Sequence, residues 1–224
     1  MLTHAFTYIQ AHMITIGMVQ QKGGVGKTVI ATNLATSFQK RGYEVALVDA
    51  DPQGSARDWA AKAENPPMTV GVDRPVVHKQ LPKLKGFDIA IVDGPGKLER
   101  MTVSIIKASD LCLIPVQPAA IDLWAVGTVI DHIQTRQDLT EGRPQARFVI
   151  SRAITGSTLT GSIEEVLDEA PFGRLSAGTY QRVAYTRAVG NGEGVVSGND
   201  SKAAAEINAI TDELESILKL KTHA

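Results

Sequence analysis

The sequence of 224 residues is poor in cysteine and has no long apolar run. Its single cysteine, Cys112, cannot form a disulfide within one chain, and we interpret it as a small core residue in an apolar strand. No stretch approaches the roughly 20 apolar residues that a membrane-spanning helix requires. The N-terminal residues carry no basic region and no continuous apolar core, which argues against a signal peptide. These absences lead us to expect a soluble, cytoplasmic protein.

An excess of charge of one sign is also lacking, because 23 basic residues face 24 acidic ones and give a formal net charge of −1. Global charge therefore gives no indication of nucleic-acid binding. The 43% hydrophobic and 21% charged content is ordinary for a globular protein, and the length suits one domain with a single core. We interpret residues 13–224 as that domain. Residues 1–12 are interpreted as a dispensable leader, an upstream start or a segment left by expression.

A glycine-rich motif follows the first apolar run of the chain. Residues 14–19 predict a buried strand, and residues 28–39 predict a helix. Between them, glycines let successive backbone N–H groups turn toward one point, where the positive end of the helix dipole also lies. This order predicts a phosphate-binding loop. The motif consists of Lys22, Gly23, Gly24, Val25, Gly26, Lys27 and Thr28.

Within this loop, Lys27 is expected to contact the β- and γ-phosphates of ATP, and the Thr28 hydroxyl to complete the shell of Mg²⁺. The usual P-loop has glycine five residues before Gly26, where this chain has Gln21 followed by a second lysine, Lys22. This variant resembles the deviant Walker A box of the ParA/MinD family of dimeric ATPases. The alternative, a glycine-rich surface turn, is disfavoured by the strand and helix on either side.

Two further apolar strands end in carboxylates. Asp49 and Asp51 end the run that begins at residue 45, and Asp93 ends residues 87–93. Because the C-terminal ends of parallel strands share one rim of an open α/β sheet, these groups should converge on the phosphate. By resemblance, Asp93 looks like the Walker B acid, which holds magnesium through water. Asp51, also assigned to the metal site, looks like the residue that orients the attacking water, and Asp49 is interpreted as its support.

Strands and helices alternate along the chain. This alternation predicts a doubly wound, mostly parallel sheet with helices on both faces, of the P-loop NTPase type. Strands are predicted at 14–19, 45–49, 68–72, 87–93, 111–114 and 146–150, and helices at 28–39, 55–63, 76–84, 98–107, 119–135 and 201–220.

The resemblance covers nearly everything after residue 13 and is strongest to small plasmid-partition ParA proteins of ParF type. Residues 109–118 and 122–123 resemble the stretch that lines the dimer side of the nucleotide. Val29 and the run 94–96 depart from the common pattern but remove no phosphate or magnesium ligand. The lack of paired cysteines argues against the related nitrogenase iron protein, whose cluster needs cysteine ligands.

The resemblance implies a switch that is driven by ATP. Lys22 would reach across a two-fold interface to the phosphates of the other subunit, so that the γ-phosphate favours a homodimer and hydrolysis to ADP and phosphate releases it. Lys22, Lys27 and Asp51 are the expected catalytic residues. Turnover should be slow and stimulated by a centromere-binding partner of ParB or ParG type. Whether dimers grow into polymers is left open, as are replicon and cargo.

The region that would contact DNA is defined only loosely. No acidic residue lies between 170 and 192. By resemblance, this stretch would bind DNA phosphates without reading sequence when ATP dimerises the protein, which would associate it with a bacterial nucleoid. Lys202 would add to this face, while Arg152 is assigned either to it or to the adenine side of the nucleotide. The basic and aromatic residues of the stretch are Arg174, Tyr180, Arg182, Tyr185 and Arg187.

Two alternative functions stay open. A MinD-like membrane switch would end in a basic amphipathic helix, but the last helix carries Glu206, Glu213 and Glu215, which would repel anionic lipid. We therefore predict no membrane association. A metabolic ATP-dependent ligase of the same superfamily would need substrate-binding residues that the sequence does not identify.

Overall fold

The structure is a computed structural model that describes residues 12–118 and 120–220, with backbone but not side chains for residues 120–125 and 158. Of the predicted leader, only His12 falls within the described residues. The side chains at 122–123, which carry part of the family resemblance, lie outside them.

One parallel sheet of six strands organises the described residues. Its strands are β1 (Ile14–Met18), β2 (Val45–Asp49), β3 (Met68–Gly71), β4 (Ile89–Asp93), β5 (Leu111–Val116) and β6 (Gln145–Ile150). The order is β3-β2-β4-β1-β5-β6, so β1 lies at the centre between β4 and β5. In this register Asp93 lies beside both Met18 and Asp49. The loop after β1 and the carboxylates at the ends of β2 and β4 therefore share one rim.

Helices cover both faces of the sheet. The residues that make each strand alternate between these faces, as Ile89 and Ile91 pack into one apolar cluster and Ala90 and Val92 into the other. Strands that are buried on both faces need continuous apolar runs, which is why the sequence pattern marked them. The helices are α1 (Lys27–Lys40), α2 (Ser55–Ala60), α3 (Val77–Gln80), α4 (Glu99–Ala108), α5 (Ala120–Asp138), α6 (Thr158–Asp168), α7 (Val183–Asn191) and α8 (Ser201–Leu218), with 3₁₀ turns at Leu81–Lys83 and Val195–Ser197.

This architecture confirms the predicted doubly wound α/β fold. Cys112 is fully buried, as expected, and burial raises the pKa of its thiol to about 12. The helical segment predicted at 76–84, with an interruption at Pro82, is α3 followed by a 3₁₀ turn, because Pro82 lacks the N–H that a continuing α-helix needs. The sequence analysis did not predict α6 and α7.

The last helix, α8, packs its apolar face against α1. Ile207, Ile210 and Leu214 are fully buried there, and the Thr211 hydroxyl donates to Ser37 Oγ on α1 at 2.9 Å. Asp200 caps the helix by accepting from the N–H groups of the second and third helical residues. The apolar stripe of α8 is therefore buried in the core. Among the described residues, none of the helices combines the length and apolar character needed to cross a bilayer.

Candidate functional site

The loop between β1 and α1 has the backbone shape that its glycines predict. Gly24 and Gly26 have φ of +77° and +94°, in the left-handed region that favours glycine. A Cβ on Gly26 would lie 2.6 Å from Ser151 Oγ at the end of β6. No side chain caps the first turn of α1, so its N–H groups remain available to an anion.

Lys27 lies buried at the start of α1, with 7% of its surface exposed. Its Nζ donates to the carbonyl of Lys22 at 3.0 Å, which folds the side chain back over the loop. Burial lowers the pKa of the ammonium group, and the nearby carboxylates of Asp93 and Asp51 oppose that shift. Lys22 itself is half-buried at the start of the loop, and its N–H lies 3.4 Å from Gln20 Oε1.

Thr28 and Asp93 form the centre of the site. The Thr28 hydroxyl donates to Asp93 Oδ2 at 2.6 Å, while Asp93 Oδ1 is buried and has no hydrogen-bond partner within the described residues. Burial is the main cause that raises the Asp93 pKa to about 7, and the Thr28 hydrogen bond opposes it. A buried carboxylate oxygen without a donor is rare in native proteins and calls for an explanation. A bound cation would supply the missing partner.

The donor set at this point fits Mg²⁺. A hydroxyl and a carboxylate are hard oxygen ligands, and Mg²⁺ is usually bound by one or two protein groups together with water and substrate phosphates. No cluster of three or more candidate metal-ligating side chains is found in the part of the chain that the structure describes. The arrangement therefore suits a metal that arrives with a phosphate ligand.

Asp49 and Asp51 differ in their surroundings although only one residue separates them. Asp49 is fully buried, and its two oxygens accept from the N–H groups of Asp51 and Arg57, at 3.1 and 2.9 Å. Arg57 Nε also lies 3.4 Å from Asp49 Oδ2. Asp51 is half-buried and accepts from the N–H of Gln53 at 3.0 Å. The geometry makes Asp49 the residue that holds this turn and leaves Asp51 on the rim near Lys27.

A cavity of about 430 Å³ opens beside the glycine loop, a size that suits a nucleoside. Arg152 lines it in a left-handed conformation with φ of +57°, and Arg152 Nη1 donates to Gly24 O at 3.1 Å. Gln117 Nε2 donates to the same carbonyl at 2.9 Å. Gln117 belongs to the stretch 109–118 that the sequence analysis placed beside the nucleotide by resemblance, although this residue was given no role of its own. The opposite wall is formed by residues 179–186.

The predicted DNA-binding residues do not form one free basic face. Arg182 lines the cavity and binds Glu206 on α8, with Arg182 Nε 2.6 Å from Glu206 Oε1. Arg174 binds Asp168 on α6, at 3.0 Å. Arg187 and Lys202 are exposed.

The basic face that the sequence analysis inferred from residues 170–192 is therefore partly neutralised by acidic residues that lie outside this stretch. The sequence between those positions has no acid, but α6 and α8 supply acids from elsewhere in the chain. DNA contact by Arg182, Arg187 and Lys202 stays a prediction.

Comparison with known proteins relates this geometry to a family. Residues 16–193 match the family described as CbiA, the CobQ/CobB/MinD/ParA nucleotide binding domain. The Maintenance of carboxysome distribution protein A of Halothiobacillus neapolitanus is 31% identical over 209 residues, which cover 89% of this chain and 95% of that protein. Protein ParA of Rhizobium radiobacter is 28% identical over 207 residues, covering 88% of this chain and 93% of that one. A solved ATP complex of McdA from Cyanothece aligns with a TM-score of 0.75 at 17% identity, covering 95% of this chain and 99% of that chain.

Proposed function

The chain belongs to the CobQ/CobB/MinD/ParA family of nucleotide-binding domains, and we propose that it is an ATPase that dimerises with ATP and acts as a switch in partitioning or positioning. The family resemblance seen in the sequence is confirmed. The finer likeness to ParF-type plasmid proteins is not what the relative from Halothiobacillus neapolitanus indicates, because that protein is named for carboxysome distribution. The class of cargo is therefore part of the proposal.

The observation that carries the proposal is the contact between the Thr28 hydroxyl and the buried carboxylate of Asp93. Asp93 Oδ1 has no partner in the described part of the chain, and the Thr28 hydroxyl lies against the other oxygen. These two residues would hold Mg²⁺, while Lys27 and the first N–H groups of α1 would hold the phosphates of ATP. Bound Mg²⁺ would neutralise charge on the β- and γ-phosphates during hydrolysis.

The remaining residues of the rim have separate tasks in this proposal. Asp51 orients the attacking water, because it lies on the exposed side of a turn that Asp49 holds in place. Lys22 contacts the phosphates bound by a second copy of the chain, which makes the γ-phosphate part of a homodimer interface. ATP stabilises the dimer because it binds the dimer better than the monomer. Hydrolysis then weakens the dimer, because it removes the γ-phosphate from the interface.

The output of the switch follows from the dimer. Joining two copies doubles any basic surface, so that non-specific binding to DNA phosphates depends on ATP. A partner protein of ParB or ParG type, or an adaptor on another cargo, would speed hydrolysis and so release the dimer at that cargo. The relative named for carboxysome distribution supports a cargo other than DNA.

The membrane alternative has less support. Its apolar anchor would have to be the stripe on α8, but Ile207, Ile210 and Leu214 are fully buried in this domain. A membrane would then have to compete with the core for these side chains.

The proposal is tested by measuring molar mass by light scattering and phosphate release in three conditions, which are Mg-ATP, Mg-ADP and ATP with EDTA. Of the three conditions, we expect a dimer only with Mg-ATP, together with slow phosphate release. Phosphate release without any change in mass would leave an ATPase but remove the switch. No nucleotide binding under any condition would overturn the whole proposal.

A matched pair of substitutions on α1 sharpens this test. Thr28→Val removes the hydroxyl that contacts Asp93 and should abolish the dimer formed with Mg-ATP. Thr36→Val removes a hydroxyl that only donates to the carbonyl of Thr32, two turns further along, and should leave the dimer intact.

A further inference from the structure

Glu206 on α8 is the most completely bonded carboxylate near the cavity. Glu206 Oε2 accepts from the Tyr180 N–H at 3.0 Å and from the Tyr185 hydroxyl at 2.8 Å. Glu206 Oε1 accepts from Arg182 Nε at 2.6 Å, and Arg182 Nη2 lies 2.6 Å from the same oxygen in an ion pair. The side chain of Glu206 is 10% exposed and that of Arg182 is 25% exposed, so these contacts are partly shielded from water.

The donors to Glu206 all come from the wall of the nucleotide cavity. Tyr180, Arg182 and Tyr185 each line that cavity, whereas Glu206 does not. On its other side, this wall is attached to the end of β6. The Thr179 N–H donates to Ile150 O at 2.9 Å, and the Gln181 N–H donates to Ala153 O at 2.9 Å. The wall is therefore held between the sheet edge and a single carboxylate.

Glu213, two turns further along α8, provides a comparison within the same helix. Its carboxylate accepts from the N–H groups of Ser176 and Ala177, at 2.9 and 2.6 Å, and from the Ser176 hydroxyl. Neither Ser176 nor Ala177 lines the cavity. Both glutamates therefore accept hydrogen bonds from the segment 176–185. Only Glu206 binds residues of that segment that line the cavity.

Hydrogen bonds to an ionised carboxylate are shorter and stronger than neutral ones, and several donors on one carboxylate restrict the positions of the groups that carry them. We propose that Glu206 is a positioning residue for the nucleoside part of the bound nucleotide, because it fixes the wall formed by Tyr180, Arg182 and Tyr185 without touching the ligand. This inference rests on the proposed nucleotide function. It assigns the phosphates to the glycine loop and the affinity for base and ribose to a contact made by the C-terminal helix.

The test compares two ligands on three proteins. Mg-ATP contains base, ribose and phosphates, while magnesium with inorganic tripolyphosphate occupies the glycine loop alone. The proteins are wild type, Glu206→Gln and Glu213→Gln, with dissociation constants from calorimetry and unfolding midpoints for each. In Glu206→Gln an NH₂ group replaces one oxygen and faces a donor, so at least one hydrogen bond to the wall is removed.

We expect Glu206→Gln to bind Mg-ATP about tenfold more weakly and tripolyphosphate as wild type does. Glu213→Gln should lower the unfolding midpoint without changing either dissociation constant. Equal weakening of both ligands by Glu206→Gln, or the same loss of ATP affinity in Glu213→Gln, would overturn the inference by showing a general structural role. A wild type that binds neither ligand would instead remove the proposed function.

A second variant carries the test should Glu206→Gln fail to fold. Tyr185→Phe keeps the ring in the core and removes one donor to Glu206. It should weaken Mg-ATP by a smaller factor, again with unchanged affinity for tripolyphosphate. Unchanged affinity for Mg-ATP in a folded Tyr185→Phe protein would contradict the inference.

Discussion

Two carboxylates near the candidate site, those of Asp93 and Glu206, differ in how many of their oxygens accept a hydrogen bond. Asp93, under the glycine loop, has one oxygen against the Thr28 hydroxyl and one with no partner among the described residues. Glu206, behind the cavity wall, has both oxygens occupied by donors. The two groups have the same chemistry, but the fold completes the coordination of only one of them.

The difference distinguishes Glu206, whose hydrogen bonds are complete within the protein, from Asp93, whose coordination a ligand would complete. Leaving a buried acceptor without a donor costs about 1–3 kcal/mol, a cost that a ligand removes when it binds. Removing one partner of a satisfied buried charge pair costs about 3–5 kcal/mol, because the other charge is left alone. We therefore expect substitutions of Thr28 and Asp93 to act on ligand binding, and substitution of Glu206 to lower both the stability of the protein and its affinity for Mg-ATP.

The largest effect is expected for Lys27→Ala, which removes the cation over the loop. Affinity for Mg-ATP should fall by about a hundredfold or more in calorimetry, since the variant cannot make a charge-assisted hydrogen bond to the phosphates. The unfolding midpoint should stay the same or rise, because a desolvated ammonium group is removed. Lys79→Ala, an exposed change outside the site, serves as control. Micromolar affinity in Lys27→Ala would mean that the loop does not hold phosphate through this residue.

Asp51→Ala should affect turnover rather than binding. If Asp51 orients water, phosphate release should fall by about a hundredfold while the dimer formed with Mg-ATP persists, because the group acts on the reaction and not on the ligand. The exposed Asp58, on the helix that follows the same turn, provides the control Asp58→Ala. Wild-type turnover in Asp51→Ala would move the role elsewhere, with Asp49 as the next candidate.

Lys22→Ala separates nucleotide binding from dimerisation. The proposed contact of Lys22 lies across the interface, so the monomer should still bind Mg-ATP, while the dimer should weaken by about tenfold or more. Light scattering at several protein concentrations measures this, with Lys62→Ala as an exposed lysine control. A dimer of wild-type strength would contradict the role of Lys22 at the interface.

The unsatisfied state of Asp93 should be visible as a pH dependence of the ligand-free protein. Its pKa is raised from 3.8 to about 7, mainly by burial. Between these values the folded state binds more protons than the unfolded state, so this group's contribution to stability is present at low pH and is lost as pH rises.

The unfolding midpoint in EDTA should therefore fall by a few degrees between about pH 5 and pH 8. Asp93→Asn cannot ionise and should reduce this dependence, which thermal melts of both proteins would measure. A slope that is the same in both proteins would show that other groups cause it.

The sequence predicted the loop rim well because its residues lie at the ends of consecutive strands. The motif from Lys22 to Thr28, Asp49 and Asp93 each follow an apolar run, and parallel strands bring those ends together without further information. The positions of the strands were predictable for the same reason. The individual contacts of Gln117 and Arg57 could not be predicted from the sequence. They depend on which carbonyl or carboxylate lies opposite each side chain in the fold.

The acidic partners of Arg174 and Arg182 were not predicted, because they are distant from these arginines in the chain. Arg182 and Glu206 lie 24 positions apart, and Arg174 reaches back to α6. A count of acids within one stretch cannot detect such pairs. The acids of α8 illustrate the same limit, as Glu206 and Glu213 were interpreted as a lipid-repelling surface and instead hold the segment 176–185.

The smallest effect is expected for the arginines of the stretch 170–192, where the prediction concerns DNA binding. Arg187 is exposed, whereas Arg174 is bonded to Asp168, and the two form a matched pair for substitution. Wild-type protein with Mg-ATP should bind duplex DNA of any sequence and bind weakly with Mg-ADP, with an affinity that falls steeply as salt increases.

Titrations of DNA at several salt concentrations distinguish the two arginines. Arg187→Ala should flatten the slope of log affinity against log salt by about 0.9 for each phosphate that the variant no longer binds. Arg174→Ala should leave the slope unchanged and lower the unfolding midpoint, because it leaves the acid of α6 without its partner. Equal slopes for Arg187→Ala and wild type would make Arg187 an ordinary solvated residue, and the DNA contact would then have to involve Lys202 or Arg182. A wild type that binds DNA equally with and without ATP would separate DNA binding from the switch altogether.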